Sequence, residues 1–205
     1  MTRTRGFLQW IEESFTNLEE FRPTYPGEVP YAQNFNLSFK RTGSMMKGNQ
    51  WYLFKALPGD LTSEVAYQLA GERQQVVKGK SKVLKWLMDF MIFIYVSETI
   101  VPSEVLDCLA NFHSIRKSYF RRNIQEINLF FNVGTGEYLQ PQKIGYSGRM
   151  PLLNLIKETR TFIFEPYRQW LQVGKQLAGY CPKCGQKNPE YYNKFCGKCG
   201  ESLVL

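Results

Sequence analysis

Two apolar runs, residues 91–96 and 127–133, constrain this chain more than any other feature. The first is continuous, β-branched and aromatic, as a strand buried on both faces requires, and the second reads as another of the same kind. Between them Pro102-Ser103 opens a segment in which Val105, Leu109 and Phe112 share one helical face, to about Phe120. Strand, helix and strand in that order predict neighbouring parallel strands joined by a crossover helix. Upstream, Phe35, Leu37 and Phe39 alternate with Asn36, Ser38 and Lys40, and a second apolar run follows the turn-forming Lys47-Gly48-Asn49 over residues 51–57. This pair predicts a β-hairpin, ended by Pro58-Gly59-Asp60.

The rest of the chain supplies helices. Val65, Leu69 and Val76 favour a helix over residues 62–78, although Val65, Tyr67 and Leu69 also fit the alternation of a strand, and Gly79-Lys80-Ser81 interrupts it; Ser81 then suits the cap of a short helix reaching Asp89. Gly134-Thr135-Gly136 turns the second buried strand into residues 137–139. A helix is expected from about Pro151 through Leu152, Leu155 and Ile156, and Pro166 is expected to start another carrying Trp170, Leu171 and Leu177. Near the start, Phe7, Leu8, Ile11, Phe15 and Leu18 recur at helical spacing, so residues 4–21 form an amphipathic helix expected to pack on the body. Pro23, Pro26, Gly27 and Pro30 make residues 22–30 an extended connector. The expected fold class is therefore α/β, a mixed sheet with flanking helices, over residues 1–178.

The last residues are of another kind. Cys181, Cys184, Cys196 and Cys199 form two Cys-x-x-Cys pairs separated by eleven residues, a spacing that lets four thiolates surround one tetrahedral ion. A glycine follows each pair, and such knuckles turn backbone N–H groups toward the sulfurs. Tyr180 and Phe195 stand ready to shield them. Two disulfides or an iron site are the alternatives, and ligand type and spacing favour zinc. The string from Tyr180 to Leu205 resembles the short zinc-ribbon modules at the termini of many bacterial proteins. That resemblance implies one structural Zn²⁺ held by Cys181, Cys184, Cys196 and Cys199, with no open position for a catalytic water. It covers only a small C-terminal ribbon, residues 179–205 as a domain; no family is recognised for residues 1–179.

Composition bounds the function. The formal charge of +8 remains positive after four thiolates bind one divalent ion, which favours anionic partners: nucleic acid or an acidic protein. Paired cysteines so close together suit a reducing compartment, and Glu12 and Glu13 interrupt the apolar run that an export signal needs. The most apolar stretch contains Lys85, Asp89 and Glu98, so its uncharged part, residues 90–97, falls far short of the ~20 residues that span a bilayer. No transmembrane segment is expected, and the location read from these features is cytoplasmic.

Two basic clusters are candidate phosphate contacts: Lys80, Lys82 and Lys85 beside Lys78, and Arg116, Lys117, Arg121 and Arg122 with Tyr119 and Phe120 interleaved. On the ribbon, Tyr191 and Tyr192 suit stacking on unpaired bases. An ordinary solvated helix end and loop is the simpler account of such charge. Catalytic candidates are weaker. Cys108 and His113, five positions apart on one helix, point about 140° away from each other. The glycines at 134 and 136 precede an extended segment where a phosphate loop needs a helix. Asp60, Glu64, Asp89, Glu98, Glu126 and Glu137 are scattered, without the Glu-x-Lys string of a restriction-endonuclease-like site. The leading expectation is a binding or adaptor protein that contacts nucleic acid or a protein partner through a basic surface and the ribbon. A metal-dependent nuclease or other hydrolase with the ribbon as accessory is the first alternative. A structural subunit of a larger assembly, marked by exposed Phe7, Trp10 or Phe15, is the second.

Overall fold

In chain order the elements are α1 (Arg3–Thr16), β1 (Phe21–Pro23), β2 (Leu37–Arg41), β3 (Gln50–Ala56), α2 (Ser63–Ser81), β4 (Asp89–Ser97), α3 (Ser103–Ala110), β5 (Ile124–Asn132), β6 (Tyr138–Leu139) and α4 (Arg149–Ala178). They come from a computed structural model that describes residues 3–25, 27–41, 49–81, 89–110, 124–139 and 149–178, with Lys198 besides. The strands form one six-stranded sheet in sequence order. β2 and β3 are the expected hairpin, with Leu37 opposite Phe54 and Arg41 opposite Gln50. β3, β4 and β5 are parallel, and the long apolar strand β4 lies between the other two, which is why both of its faces are apolar. β1 and β6 add short antiparallel edges.

Side chains alternate across the sheet and make two cores. Tyr52, Phe54, Ile92, Ile94, Ile127, Leu129 and Phe131 face α1 and α4, where Phe7, Ile11, Phe15, Ile163 and Tyr167 close over them. Trp51, Leu53, Met91, Phe93, Tyr95 and Phe130 face α2 and α3, under Ala66, Leu69, Ala70, Val76 and Val105. Phe15 is the centre of an aromatic cluster, with ring centroids 4.5 Å from Phe21, 5.2 Å from Phe39 and 5.5 Å from Phe54. The amphipathic helix at the start therefore packs on the body, and its Phe7 and Phe15 are wholly buried. Those rings are committed within the chain and offer nothing to a larger assembly.

Expectations are corrected at several points. The periodicity that ran to Leu18 ends earlier: α1 stops at Thr16, and Leu18 is 37% exposed. Residues 21–23, expected within that helix and the connector after it, form β1; Pro23 is tolerated because an edge strand has one side without a ladder. Pro166 does not start a helix. It lies inside α4, where burial of Leu155, Ile156, Thr159, Ile163, Pro166 and Tyr167 continues at three- and four-residue spacing, so packing offsets the missing N–H. Gly79-Lys80-Ser81, expected to interrupt the helix, are its last turn, since α2 runs to Ser81; the short helix expected after Ser81 falls on residues 82–88, outside the described residues, and Asp89 already belongs to β4. Among the described residues no helix is long and apolar enough to cross a membrane.

The segment between β1 and β2 is fixed at both ends. Val29 and Phe35 are buried in the α2-side core, and Lys55 Nζ donates to the Asn34 carbonyl. Between them Tyr31 has φ 63°, the left-handed region, and a single 3₁₀ turn covers Ala32–Asn34.

Candidate functional site

The residues that sequence reading puts forward lie largely outside the described residues: the ligands Cys181, Cys184, Cys196 and Cys199, the cations Lys82, Lys85, Arg116, Lys117, Arg121 and Arg122, the rings Tyr191 and Tyr192, and His113. Lys80 belongs to the last turn of α2 and Cys108 to α3. What the fold contributes is the placement of the strands that those segments enter. Asp89, the first residue of β4, stands opposite Ile124, the first of β5.

At the opposite ends of the parallel strands the groups are engaged. Asn132 Oδ1 accepts the N–H groups of Gly134 at 2.7 Å and Thr135 at 3.1 Å, and the Gly136 N–H bonds the Asn132 carbonyl at 2.8 Å. Three amides that a phosphate loop would leave free are thus tied to one residue, and the segment is the hairpin turn expected from its glycines. Gly134 has no room for a side chain, since a Cβ there would lie 2.9 Å from the Glu98 carbonyl oxygen. Glu98 Oε1 accepts the Thr4 N–H at 2.7 Å, satisfying one of the free donors at the start of α1 and facing the positive end of its dipole. Glu137 accepts from Thr135 Oγ1. Among the described residues, no three His, Cys, Asp or Glu side chains gather as a metal-holding group.

Among the described residues a buried polar group lies on the α2 side of the sheet. Arg73, in the middle of α2, is fully buried and holds Nε 3.6 Å from Glu126 Oε2 on β5, whose side chain is 7% exposed. Burial pushes the Glu126 carboxyl up to about 7, against the pull of the Arg73 charge. One residue earlier, Glu72 pairs with Lys55 of β3 at 2.9 Å. Burial also raises the Tyr95 phenol far above its ordinary range. Asn128 is wholly buried, and neither of its side-chain polar atoms has a hydrogen-bond partner among the described residues. A carboxyl titrating near neutrality has the acidity of a general acid or base, but this one is enclosed and faces a guanidinium instead of a cleft. The pair joins the middle of α2 to β5. A signal was present in the sequence: position 73 continues the stripe of Ala66, Leu69, Ala70 and Val76, so its arginine had to be buried.

A second polar clamp ties the other face. Arg41 donates to Glu158 on α4 at 2.6 Å and to Glu20 at 2.8 Å, and lies over the Phe162 ring at 4.8 Å. Its Nη1 also reaches Gln50 Oε1 at 3.3 Å, the same oxygen that accepts from Tyr52 Oη at 3.1 Å. This cluster joins β2, β3 and α4 and leaves its carboxylates neutralised.

Compared with protein-family models, with curated proteins and with solved structures, the chain matches none.

Proposed function

We propose that the protein is a zinc-ribbon-containing binding or adaptor protein that engages a polyanion, nucleic acid or an acidic protein, through a basic surface and the ribbon together. The observation that carries this reading is the pairing of Asp89 with Ile124 at the entry edge of the parallel strands. Lys85 precedes Asp89 by four residues and Arg122 precedes Ile124 by two. Covalent geometry keeps their Cα atoms within about 14 Å and about 7 Å of those anchors. Adjacent strands are roughly 4.8 Å apart. Lys85 and Arg122 are therefore tethered by short stretches of chain to neighbouring strand ends, which supports the reading that the two basic clusters, Lys80, Lys82 and Lys85 with Arg116, Lys117, Arg121 and Arg122, serve one phosphate-binding face. Tyr191 and Tyr192 add stacking from the ribbon. Cys181, Cys184, Cys196 and Cys199 hold one structural zinc in residues 179–205, which gives the ribbon its shape, and a reducing cytoplasmic setting keeps those sulfurs as thiolates. The hydrolase alternative lacks comparable support, because Glu98 and Glu126 are bonded to separate partners on different sides of the fold.

The test is binding of single-stranded and duplex oligonucleotides across a salt series, with co-purification before and after nuclease treatment. Affinity at low salt should fall with a log–log slope of about −0.7 per neutralised phosphate of a single strand, and K82Q/K85Q and R121Q/R122Q should each weaken it. No affinity for either nucleic acid at low salt leaves acidic proteins as the partner. Absence of any acidic protein among the co-purifying species as well refutes the proposal.

A further inference from the structure

From the side chain of Asn128 we infer an internal hydration site between α2 and β5, in which a water molecule joins the Asn128 amide to the polar atoms of Arg73, Glu126 and Tyr95. Asn128 lies in the middle of β5, opposite Phe93 of β4, and is wholly buried. Side chains alternate along a strand, so Asn128 points to the same face as Glu126 before it and Phe130 after it, the face that α2 covers. Residues two apart stand roughly 6.5 Å from each other along a strand, close enough for one small molecule to bridge them. The amide can accept hydrogen bonds at Oδ1 and donate them from Nδ2. Neither atom has a partner among the described residues. An aliphatic side chain would fill the same space without leaving buried polar atoms unmet, so the amide points to a molecule that meets it.

The groups around the amide decide which molecule that is. Arg73, fully buried, holds Nε 3.6 Å from Glu126 Oε2, and the Glu126 side chain is 7% exposed. Tyr95 lies on the same side of the sheet, its ring stacked on Phe130 with centroids 5.2 Å apart. The charges of Arg73 and Glu126 both act on its buried hydroxyl. The cluster therefore combines a guanidinium, a carboxyl, a phenol and a primary amide. The guanidinium repels a metal ion, and the carboxyl, once ionised, repels an anion. A neutral molecule that both donates and accepts suits them all, and the complete burial of Asn128 and Arg73 admits only a small one. Water, which makes about three hydrogen bonds at such sites, has that chemistry and that size. The site needs neither the ribbon nor a polyanion.

The experiment counts long-lived internal waters by magnetic relaxation dispersion of the solvent signal, in the full chain and in Asn128→Leu, and locates them in a crystal structure of the unaltered chain that resolves ordered water. Leucine has nearly the outline of asparagine without its polar atoms, so Asn128→Leu should hold about one long-lived water fewer. In the crystal, a water oxygen should lie within about 3.2 Å of Asn128 Oδ1 or Nδ2 and of a polar atom of Arg73, Glu126 or Tyr95. That readout requires no variant, and it decides the matter if Asn128→Leu does not fold. An equal count of waters in the two proteins overturns the site. So does an Asn128 amide bonded directly to protein groups at both atoms, or density for an ion in place of water; each of these outcomes leaves the function proposed above untouched.

Discussion

Replacing Glu126 by glutamine should make the protein more stable at pH 8 and leave it little changed at pH 5. The folded chain holds the Glu126 proton up to about pH 7, whereas the ordinary carboxyl value is 4.5. Below 4.5 the group is protonated whether the chain is folded or not, and its contribution is fully present. Between 4.5 and 7 unfolding releases a proton, so stability falls as pH rises; above 7 the contribution is lost. At about 1.4 kcal/mol per pH unit, the whole window amounts to about 3 kcal/mol. Glutamine has the shape of the protonated acid and no charge, so Glu126→Gln should gain up to about 3 kcal/mol over the unaltered chain at pH 8. Urea unfolding followed by tryptophan fluorescence at both pH values reads the difference, and other titrating groups cancel between the two proteins. A variant that is less stable than the unaltered chain at pH 8 would refute the reasoning, because the attraction of Arg73 at 3.6 Å would then outweigh the desolvation of the carboxylate.

Phe15→Ala empties the centre of the aromatic cluster, where five rings lie within 6.3 Å of its centroid, and should cost about 3–5 kcal/mol in the same urea assay; a loss below about 1.5 kcal/mol would place the packing elsewhere. Gly79→Val drives a side chain into Pro30, 2.7 Å away from the added Cβ, and should lower stability by about 1–3 kcal/mol, whereas an unchanged melting temperature would show that Pro30 moves freely. Glu28 lies well below the carboxylate range, at about 2, chiefly because Arg22 donates to it. Its stabilisation is present above 4.5 and lost as pH falls toward 2, so Arg22→Ala should flatten the acid side of the stability profile, and an unaltered acid limb would assign that limb to other groups. Chelation should release one zinc per chain, measured with a chromogenic indicator, and Cys196→Ser should abolish retention; a metal-free protein whose four ribbon thiols react at once with a thiol reagent would dismiss the site.

The central strands were legible because burial on both faces leaves a run of apolar residues with no competing pattern, as in Phe90, Met91, Ile92 and Phe93. The hairpin was legible from the alternation of Leu37 and Phe39 with Ser38 and Lys40, whereas Phe35, read as part of the same stripe, precedes β2 and is buried in the opposite core. Local rules misled where packing decides. Pro166 reads as a boundary in any window of sequence, but the stripe from Leu155 to Tyr167 binds the helix to the sheet across it. Pro23 argues against a strand, and only the neighbouring β2 ladder shows that one face of it needs no donor. Arg73 was hidden by the habit of assigning cations to solvent, although its place in the apolar stripe of α2 marked it. Tyr31 carries no sequence signal at all, since a left-handed tyrosine follows from the fixed positions of Val29 and Phe35 on either side of it.

The bond from Thr4 to Glu98, with the Phe7 ring set between Phe131 and Tyr167, joins the beginning of the chain to its middle and nearly to its end. During synthesis on the ribosome the α2 side is complete once β5 has emerged, whereas α1 must wait for α4 before its cover is whole. A nascent chain halted after β5 would therefore expose Phe131 and Ile127 on one side only. Docking of α4 is therefore the step that takes this apolar face out of water.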